Sequence, residues 1–297
     1  LDGGGKPAVW ANFPGPEGSP TVLLYAHYDV QPTGDADAWT SPAFEPTERD
    51  GRLYARGSAD DKGGVALHLA ALRVFNGKPP VGVKVFIEGE EEVGSPTMPT
   101  LLDRYRDELA ADVYVVADSV NWEVGKPSLT TSLRGVAACE VTVSTLAEGL
   151  HSGQFGGVVP DALTALCRLL ATLHDEAGNV AIEGLVTGTA PDLDYPEDRL
   201  QEETGLLEGV SQTGDGSVVE RMWFKPSASV LAIDATPVAK ASNTLIPSAR
   251  AKVSVRLVPG QDPAAAAKAL EDHLRRNAPW GAHVDVVAGQ CGAPGRI

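Results

Sequence analysis

A histidine and an aspartate two positions apart are the first residues of the chain whose types and spacing suit metal chemistry. His27 and Asp29 follow the apolar run 22–24, which predicts a buried strand that ends at this pair. Ligand sites in open α/β sheets gather where the parallel strands end. A metal-bound imidazole usually donates its other ring N–H to a carboxylate, which Asp29 can provide. Because an isolated His-x-Asp is more often a hydrogen-bonded surface pair, the metal hypothesis depends on the rest of the chain.

Two adjacent aspartates lie between a predicted strand and a predicted helix. Asp60 and Asp61 follow the short strand 53–55 and precede an apolar-periodic helix over 65–75. Neighbouring glycines permit a tight turn, and the helix dipole stabilises carboxylates before the first turn. One N-cap accounts for only one aspartate, so N-capping alone and metal binding both remain open at this point.

Acidic residues also follow two more predicted strands. Glu91 and Glu92 come after the strand 83–87, a helix is predicted over 98–108, and Asp118 comes after the strand 113–117. A run of glutamates is usually a solvated face, but this one directly follows an apolar strand, so at least one carboxylate is expected at the edge of the sheet. Since strands alternate with helices, we expect an α/β domain with a mostly parallel sheet whose carboxyl edge collects the ends of all four strands.

The types of ligand indicate which metals this edge could hold. One imidazole with several carboxylates and no cysteine suits zinc, manganese or cobalt. Carboxylates packed together without cations raise one another's pKa values, so two divalent ions are expected rather than one. The cysteines, Cys139, Cys167 and Cys291, are far apart in sequence and predict neither a disulfide framework nor a thiolate zinc site.

Length and charge restrict the class of protein. At 297 residues the chain predicts two domains, and its net charge of -16 argues against binding to nucleic acid or anionic membranes. The absence of a long apolar run and of a signal-peptide pattern, with the cysteine usage, predicts a cytoplasmic protein. The chain starts with Leu1 as if within a domain, so its first domain is expected to be incomplete at the N-terminus.

The pattern of elements changes after residue 134. The later segments are predicted in the order β-α-β-β-α-β, the split pattern of a ferredoxin-like α+β sandwich. They are a strand over 136–144, a helix over 159–174, strands over 229–234 and 249–258, a helix over 262–277 and a strand over 283–288. The predicted division is a metal-binding domain over 1–134, an inserted α+β domain over 135–289 and a return to the first domain over 290–297.

Several separate motifs occur in the order found in a known enzyme family. They are HYDVQP at 27–32, RGSADDKG at 56–63, EGEEEVGS at 88–95 and LHSG at 150–153. From about residue 21 to about residue 259, the chain resembles the M20 metallopeptidases, with carnosinase-type cytosolic dipeptidases as the nearest likeness. The resemblance implies a di-metal site in the first domain and a lid or dimerisation domain in the second.

The resemblance also assigns roles to residues of the first domain. The implied ligands of two divalent ions, most simply zinc with manganese or cobalt as alternatives, are His27, Asp60, Glu92 and Asp118. Asp60 is expected to bridge both ions and Glu91 to act as the general base, while Asp29 orients His27. Asp61 receives no role.

Four residues of the second domain are implied to contact a small peptide substrate. His151 is expected to reach the active site of the other subunit of a homodimer and to stabilise the oxyanion there. Asn243, Thr244 and Arg256 are expected to bind the backbone and terminal carboxylate of the peptide, for which a guanidinium fork is suited. Taken alone, a loop histidine is more often structural and an arginine on a strand is usually a surface residue.

One ligand that the resemblance requires is missing from this sequence. The second metal ion needs a further histidine, which similar enzymes supply after the chain returns to the first domain. The remaining histidines are His68, His174, His273 and His283, and none has the context of a ligand. His68 lies in the predicted helix after Gly64 and is expected to be packed. The missing histidine is therefore expected beyond Ile297.

Together these patterns predict a hydrolase. The protein is expected to cleave dipeptides or short peptides next to a free carboxylate terminus, through a metal-bridging water that Glu91 activates. An N-acyl amino-acid deacylase of the same family would use the same metals and base. A metal-dependent binding protein without turnover is the alternative of another class, and Glu91 argues against it because metal binding alone needs no base.

Overall fold

The computed structural model describes residues 1–119 and 121–296 and contains two compact units. The first covers residues 1–129 and the second begins at residue 130. Each unit has a hydrophobic core of its own, as a domain does. The assignment of the first unit as a catalytic domain and of the second as a lid remains a prediction.

The first unit consists of short strands and helices that alternate along the chain. Its strands are β1 (Val9–Phe13), β2 (Thr21–His27), β3 (Thr47–Arg49), β4 (Arg52–Tyr54), β5 (Gly82–Glu88) and β6 (Val113–Val116). Its helices are α1 (Lys62–Val74), α2 (Met98–Arg104) and α3 (Arg106–Leu109), with 3-10 turns at Ala36–Ala38 and Glu91–Val93.

A four-stranded sheet with the order β1-β5-β2-β6 forms the centre of this unit. β2 pairs in parallel with β5 and β6, whereas β1 lies antiparallel to β5 at the edge. Successive residues of a strand point to opposite faces, so Phe86 packs with Leu23 and Leu101 on one face while Val85 packs with Leu72 on the other. The carboxyl ends of β2, β5 and β6 therefore meet at one edge, as the alternation of elements predicted.

The structure corrects two predictions for this unit. The strand predicted over 53–55 was expected to join the parallel sheet, but β4 pairs with β3 in a separate hairpin. Asp50 and Gly51, which join β3 to β4, both have a positive φ, as in the two-residue turns that connect the strands of a hairpin. The helix predicted over 98–108 is divided at Tyr105, whose backbone leaves the helical conformation (φ -116°, ψ 34°). The edge strand β1 was not predicted.

The second unit carries the longer strands. They are β7 (Ser132–Leu133), β8 (Gly135–Ser144), β9 (Leu150–His151), β10 (Ser227–Asp234), β11 (Thr244–Leu245), β12 (Ser248–Leu257), β13 (His283–Gly292) and β14 (Gly295–Arg296). The α-helices are α4 (Ser152–Phe155), α5 (Ala162–Ala171), α6 (Glu197–Thr204) and α7 (Pro263–Arg276), with a π-helix at Glu220–Phe224 and 3-10 turns at Val238–Lys240 and Pro279–Gly281. In the part of the chain that the structure describes, no helix is long and apolar enough to cross a membrane.

An antiparallel sheet with the order β10-β12-β8-β13 organises the second unit. With α5 between β8 and β10 and α7 between β12 and β13, the elements follow the predicted β-α-β-β-α-β order. Apolar side chains of β8 and β12 pack against α5 and α7, and they alternate with side chains on the opposite face. We call this opposite face the polar face; on β12 it carries Arg250, Lys252, Ser254 and Arg256.

Candidate metal centre

His27 is held at the end of β2 by three aspartates. Its side chain is 0% exposed, and its Nε2 lies 2.9 Å from Oδ1 of Asp60. Its Nδ1 lies 3.1 Å from the carbonyl oxygen and 3.3 Å from Oδ1 of Asp29. The His27 backbone N–H donates to Oδ2 of Asp61 at 3.0 Å. An imidazole fixed in this way keeps the orientation that a metal ligand needs.

The adjacent aspartates Asp60 and Asp61 have opposite surroundings. Asp61 is buried and caps the N-terminus of α1, because its Oδ1 accepts the Gly64 N–H at 3.1 Å while its Oδ2 accepts the His27 N–H. A Cβ atom at position 64 would lie 2.2 Å from Asp61 Oδ1, so this approach requires glycine. The Asp60 side chain is 66% exposed. Asp61 thus has a structural role that the sequence left open, and Asp60 presents an accessible carboxylate.

Three residues that could hold a metal ion come together beside Asp60. One ligand atom from each of His27, Glu91 and Asp118 lies within 4.8 Å of the other two. Asp118 follows the end of β6, and its Oδ1 is 4.0 Å from Nε2 of His27. Glu91 is the first residue of the 3-10 turn that follows β5. The ends of β2, β5 and β6 thus supply one residue each to this cluster.

Asp29 and Gln31, which follow β2, form hydrogen bonds to the 3-10 turn at Glu91–Val93. Both carboxylate oxygens of Asp29 accept backbone N–H groups, from Glu91 at 3.2 Å and from Glu92 at 3.0 Å. The Glu92 carboxylate accepts hydrogen bonds from the Gln31 backbone N–H at 3.2 Å and from Gln31 Nε2 at 2.7 Å. Glu91 therefore belongs to the three-residue cluster, while Glu92 is held beside it by Gln31. The sequence analysis assigned no role to Gln31.

Burial and like charge both act on the carboxylates of the cluster. Burial raises the pKa of Glu91 above its usual value and the charge of Asp118 raises it further, against the opposing effect of His27. Burial also raises the pKa of Asp118, where His27 lowers it and Asp61 raises it. The pKa of His27 is raised, because the nearby negative charges outweigh the lowering effect of burial. A divalent cation would relieve this repulsion, and an imidazole with carboxylate oxygens suits zinc, manganese or cobalt.

A buried glutamate beside the cluster was missed by the sequence analysis. Glu88 ends β5 and lies opposite His27 in the parallel register. It is 3% exposed and accepts hydrogen bonds from the Tyr25 hydroxyl and, at 3.0 Å, from the Ser95 hydroxyl. Burial raises the pKa of Tyr25 and the bond to Glu88 raises it further, so the phenol stays protonated and donates. The sequence contained a sign of this position, because no turn residue separates Glu88 from the apolar residues of β5.

In the second unit, three of the predicted site residues lie together on a short hairpin. β9 and β11 pair so that His151 lies opposite Thr244, and the Ser152 N–H donates to the Asn243 carbonyl oxygen at 2.9 Å. His151, Asn243 and Thr244 are all exposed. The His151 Nδ1 accepts the Gly153 N–H at 3.1 Å, which caps the short helix α4 and leaves Nε2 as the outer nitrogen.

Arg256 lies apart from that hairpin, near the end of β12. It is exposed on the polar face of the sheet, opposite Ser227 of β10 and Val136 of β8. The alternation of β12 predicted this outward position. The roles of Arg256 and of the three hairpin residues in substrate binding remain predictions.

Two of the histidines that were not assigned as ligands, His68 and His273, have structural side-chain contacts. His68 is buried in α1, and its Nε2 lies 2.8 Å from the carbonyl oxygen of Tyr25, which confirms that it is packed. His273 is buried in α7, with Nε2 at 3.0 Å from the Thr172 hydroxyl. Burial lowers the pKa of His273, so the neutral imidazole is favoured.

Residues 23–293 match the model of peptidase family M20/M25/M40. The chain belongs to this family. It is 40% identical over 274 residues to a cysteinylglycine-S-conjugate dipeptidase of Corynebacterium striatum, a match that covers 90% of this chain and 60% of that protein. It is 30% identical over 284 residues to a Beta-Ala-His dipeptidase of Rattus norvegicus, covering 90% of this chain and 58% of that protein.

The solved structures agree with this family. Human carnosine dipeptidase 1 superposes with a TM-score of 0.78 at 26% identity, covering 98% of this chain and 65% of that chain. The metallo-carboxypeptidase Sso-CP2 of Sulfolobus solfataricus gives a TM-score of 0.79 at 26% identity, with 98% and 68% covered. The predicted likeness to carnosinase-type M20 enzymes is confirmed. The chain spans about three fifths of the length of the curated relatives described above.

Proposed function

We propose that the intact protein is a metal-dependent peptidase that hydrolyses dipeptides, with zinc as the expected metal. The observation that carries this proposal is the meeting of His27, Glu91 and Asp118 at the ends of three parallel strands, with Asp60 in contact with the His27 ring. The names of relatives at 30–40% identity, which are dipeptidases, support the choice of substrate. The deacylase alternative has no comparable support.

The residues of the cluster divide into ligands and a base. His27, Asp60, Glu92 and Asp118 would hold two divalent ions, and bound ions would supply Lewis acidity that polarises the scissile carbonyl. Glu91 takes a proton from the attacking water and passes it to the leaving amine. Burial raises the pKa of Glu91, and a general base with a raised pKa holds the proton that it accepts more readily. Asp29 contacts the His27 ring and accepts the Glu91 backbone N–H, so it holds both residues in position.

Residues of the second unit would bind the substrate. His151 would stabilise the oxyanion of the partner subunit's substrate in a homodimer, since its outer nitrogen is not used by the cap on α4. Asn243 and Thr244 would contact the peptide backbone, and Arg256 would bind the terminal carboxylate.

Metal stoichiometry tests the proposal directly. Metal analysis of the intact protein should find two divalent ions, and Asp60→Ala should retain one at most, because Asp60 is expected to bridge them. Asp103→Ala is the control, since Asp103 is an exposed carboxylate of the same unit whose ion pair is with Arg106. Substrate profiling should show cleavage of dipeptides and not of N-acyl amino acids. Unchanged stoichiometry in Asp60→Ala, or preference for N-acyl amino acids, would contradict the proposal.

A further inference from the structure

Two arginines of the second unit flank one serine on the polar face of its sheet. Arg256 of β12 and Ser227 of β10 lie directly opposite each other, and side chains of opposed residues share a face. Arg134, which immediately precedes β8, donates from Nη1 to Oγ of Ser227 at 3.3 Å. Arg134 and Arg256 are therefore both neighbours of Ser227 in this sheet.

Neither of these guanidinium groups has an acidic partner. Across residues 1–119 and 121–296, no aspartate or glutamate forms an ion pair with Arg134 or Arg256, although the chain has 40 acidic residues. Arg250 shows the contrast, because it lies on the same face of β12 and pairs with Asp234 at 2.5 Å and with Glu140 at 3.2 Å. Acidic partners thus neutralise the charge of Arg250, whereas the charges of Arg134 and Arg256 have no such partner among the described residues.

This arrangement has an electrostatic cost that an anion would remove. Burial lowers the pKa of Arg134, and the charge of Arg256 lowers it further, which shows that the two cations repel each other. Arg134 is half-buried, so the repulsion is less screened than between two solvated side chains. A carboxylate offers one oxygen to each guanidinium, and charge-assisted hydrogen bonds of this kind are about twice as strong as neutral ones.

We propose that Arg134 and Ser227 form, together with Arg256, a binding site for one carboxylate group. Arg134 supplies a second guanidinium fork, and the Ser227 hydroxyl, which accepts a hydrogen bond from Arg134, can donate its own proton to the bound oxygen. The use of this site for the terminal carboxylate of a peptide rests on the function proposed above. The binding of a carboxylate does not rest on it.

Titration with hexanoate and with hexanamide tests the site separately from catalysis. Neither compound is a peptide, and they differ only in their terminal group, which is a carboxylate in hexanoate and a neutral amide in hexanamide. In the intact, metal-loaded protein, NMR signals of the Arg134 and Arg256 Nε–H groups should shift with hexanoate and not with hexanamide. Arg134→Gln should weaken hexanoate binding, followed at Arg256, by about 10- to 100-fold, because a hydrogen bond to a charged group is worth that much.

Three more variants separate the proposed contact from a loss of folding. Arg134→Lys keeps the charge without the fork and should bind hexanoate more tightly than Arg134→Gln does. Ser227→Ala should weaken binding by about 2- to 10-fold. Arg250→Gln is the matched control and should bind like the parent, since Arg250 is already paired.

Two results would overturn the inference. One is a parent protein whose Arg134 signal responds equally to the acid and the amide, and the other is Arg134→Gln binding hexanoate as the parent does. With a dipeptide substrate, Arg134→Gln should raise KM more than it lowers kcat, and it should reduce the preference for a free carboxylate over a terminal amide. An intact protein that cleaves no dipeptide would refute the proposed function, while the NMR titration would still decide the carboxylate site.

Discussion

Replacement of Asp61 should destabilise the first unit by more than the loss of an ordinary helix cap. Asp61 is 2% exposed, and each of its carboxylate oxygens accepts a backbone N–H, one from His27 in the buried strand β2 and one from Gly64 in α1. Asp61→Ala removes both acceptors. The variant therefore leaves a buried N–H at the end of β2 without a partner and removes the cap of α1.

The two losses can be sized separately. Removing an N-cap costs about 1 kcal/mol, and leaving a buried N–H unpaired costs about 1–3 kcal/mol, so Asp61→Ala should cost about 2–4 kcal/mol. Asp61→Asn keeps one acceptor and should cost about half as much. Both variants remove the same negative charge from the cluster, so the difference between them isolates the hydrogen bonds. Asp262→Ala is the control, because Asp262 caps α7 at 2.7 Å from an exposed position.

Hydrogen exchange of individual amides is the assay that resolves these effects. Because each unit has a hydrophobic core of its own, the exchange free energies of β2 and α1 report the first unit and those of α7 report the second. In Asp61→Ala, the His27 and Gly64 amides should lose protection along with their unit. The structural role of Asp61 would be refuted if the exchange free energy of the first unit fell by no more than Asp262→Ala lowers that of α7. An unchanged exchange rate of the His27 amide would refute it too.

Three further outcomes are expected. Glu91→Gln should keep its metals and lose about 10²- to 10⁴-fold in turnover, the usual contribution of a general base, whereas Glu92→Gln should lower metal content; equal metal loss in the two would contradict their roles. Mixing inactive His151→Ala with inactive Glu91→Gln should restore up to about a quarter of the parent activity if subunits exchange, and an inactive mixture after proven exchange would exclude action across an interface. Burial holds the pKa of His273 below its usual value of 6.5. The unfolded chain therefore takes up this proton first as the pH falls below about 6.5, which lowers the parent's stability there, and His273→Gln should show a smaller decrease in urea midpoint between about pH 7.5 and about pH 5.5.

The main elements could be predicted because their hydrophobic patterns are strong. The apolar runs before His27 and Glu88 predicted two parallel strands, and the alternation along β12 predicted the outward position of Arg256. The hairpin β3-β4 was assigned to the wrong sheet, because three residues carry too little pattern to show which strand they pair with. Pairing partners are set by tertiary packing, which a short segment does not encode by itself.

The roles of neighbouring acidic residues were the hardest to predict. Sequence position could not separate Asp60 from Asp61, since both precede the same helix, and only the contacts show which carboxylate caps α1. Gln31 was overlooked because a lone glutamine has no pattern, although it donates three hydrogen bonds to Glu92. Glu88 was grouped with the run of glutamates after it, yet its register opposite His27 places it inside the fold.

The contacts of the carboxylates separate those that hold the fold together from those whose charge a divalent ion would offset. Asp29 and Asp61 each accept two backbone N–H groups, so their oxygens are already compensated by the fold. Glu91 and Asp118 instead have pKa values that burial and neighbouring carboxylates raise, and His27 is the imidazole that opposes this effect. A protein without a cation at this edge would lose stability by holding these charges together. Asp29 and Asp61 therefore hold the fold together, and a bound divalent ion would offset the negative charge of Glu91 and Asp118.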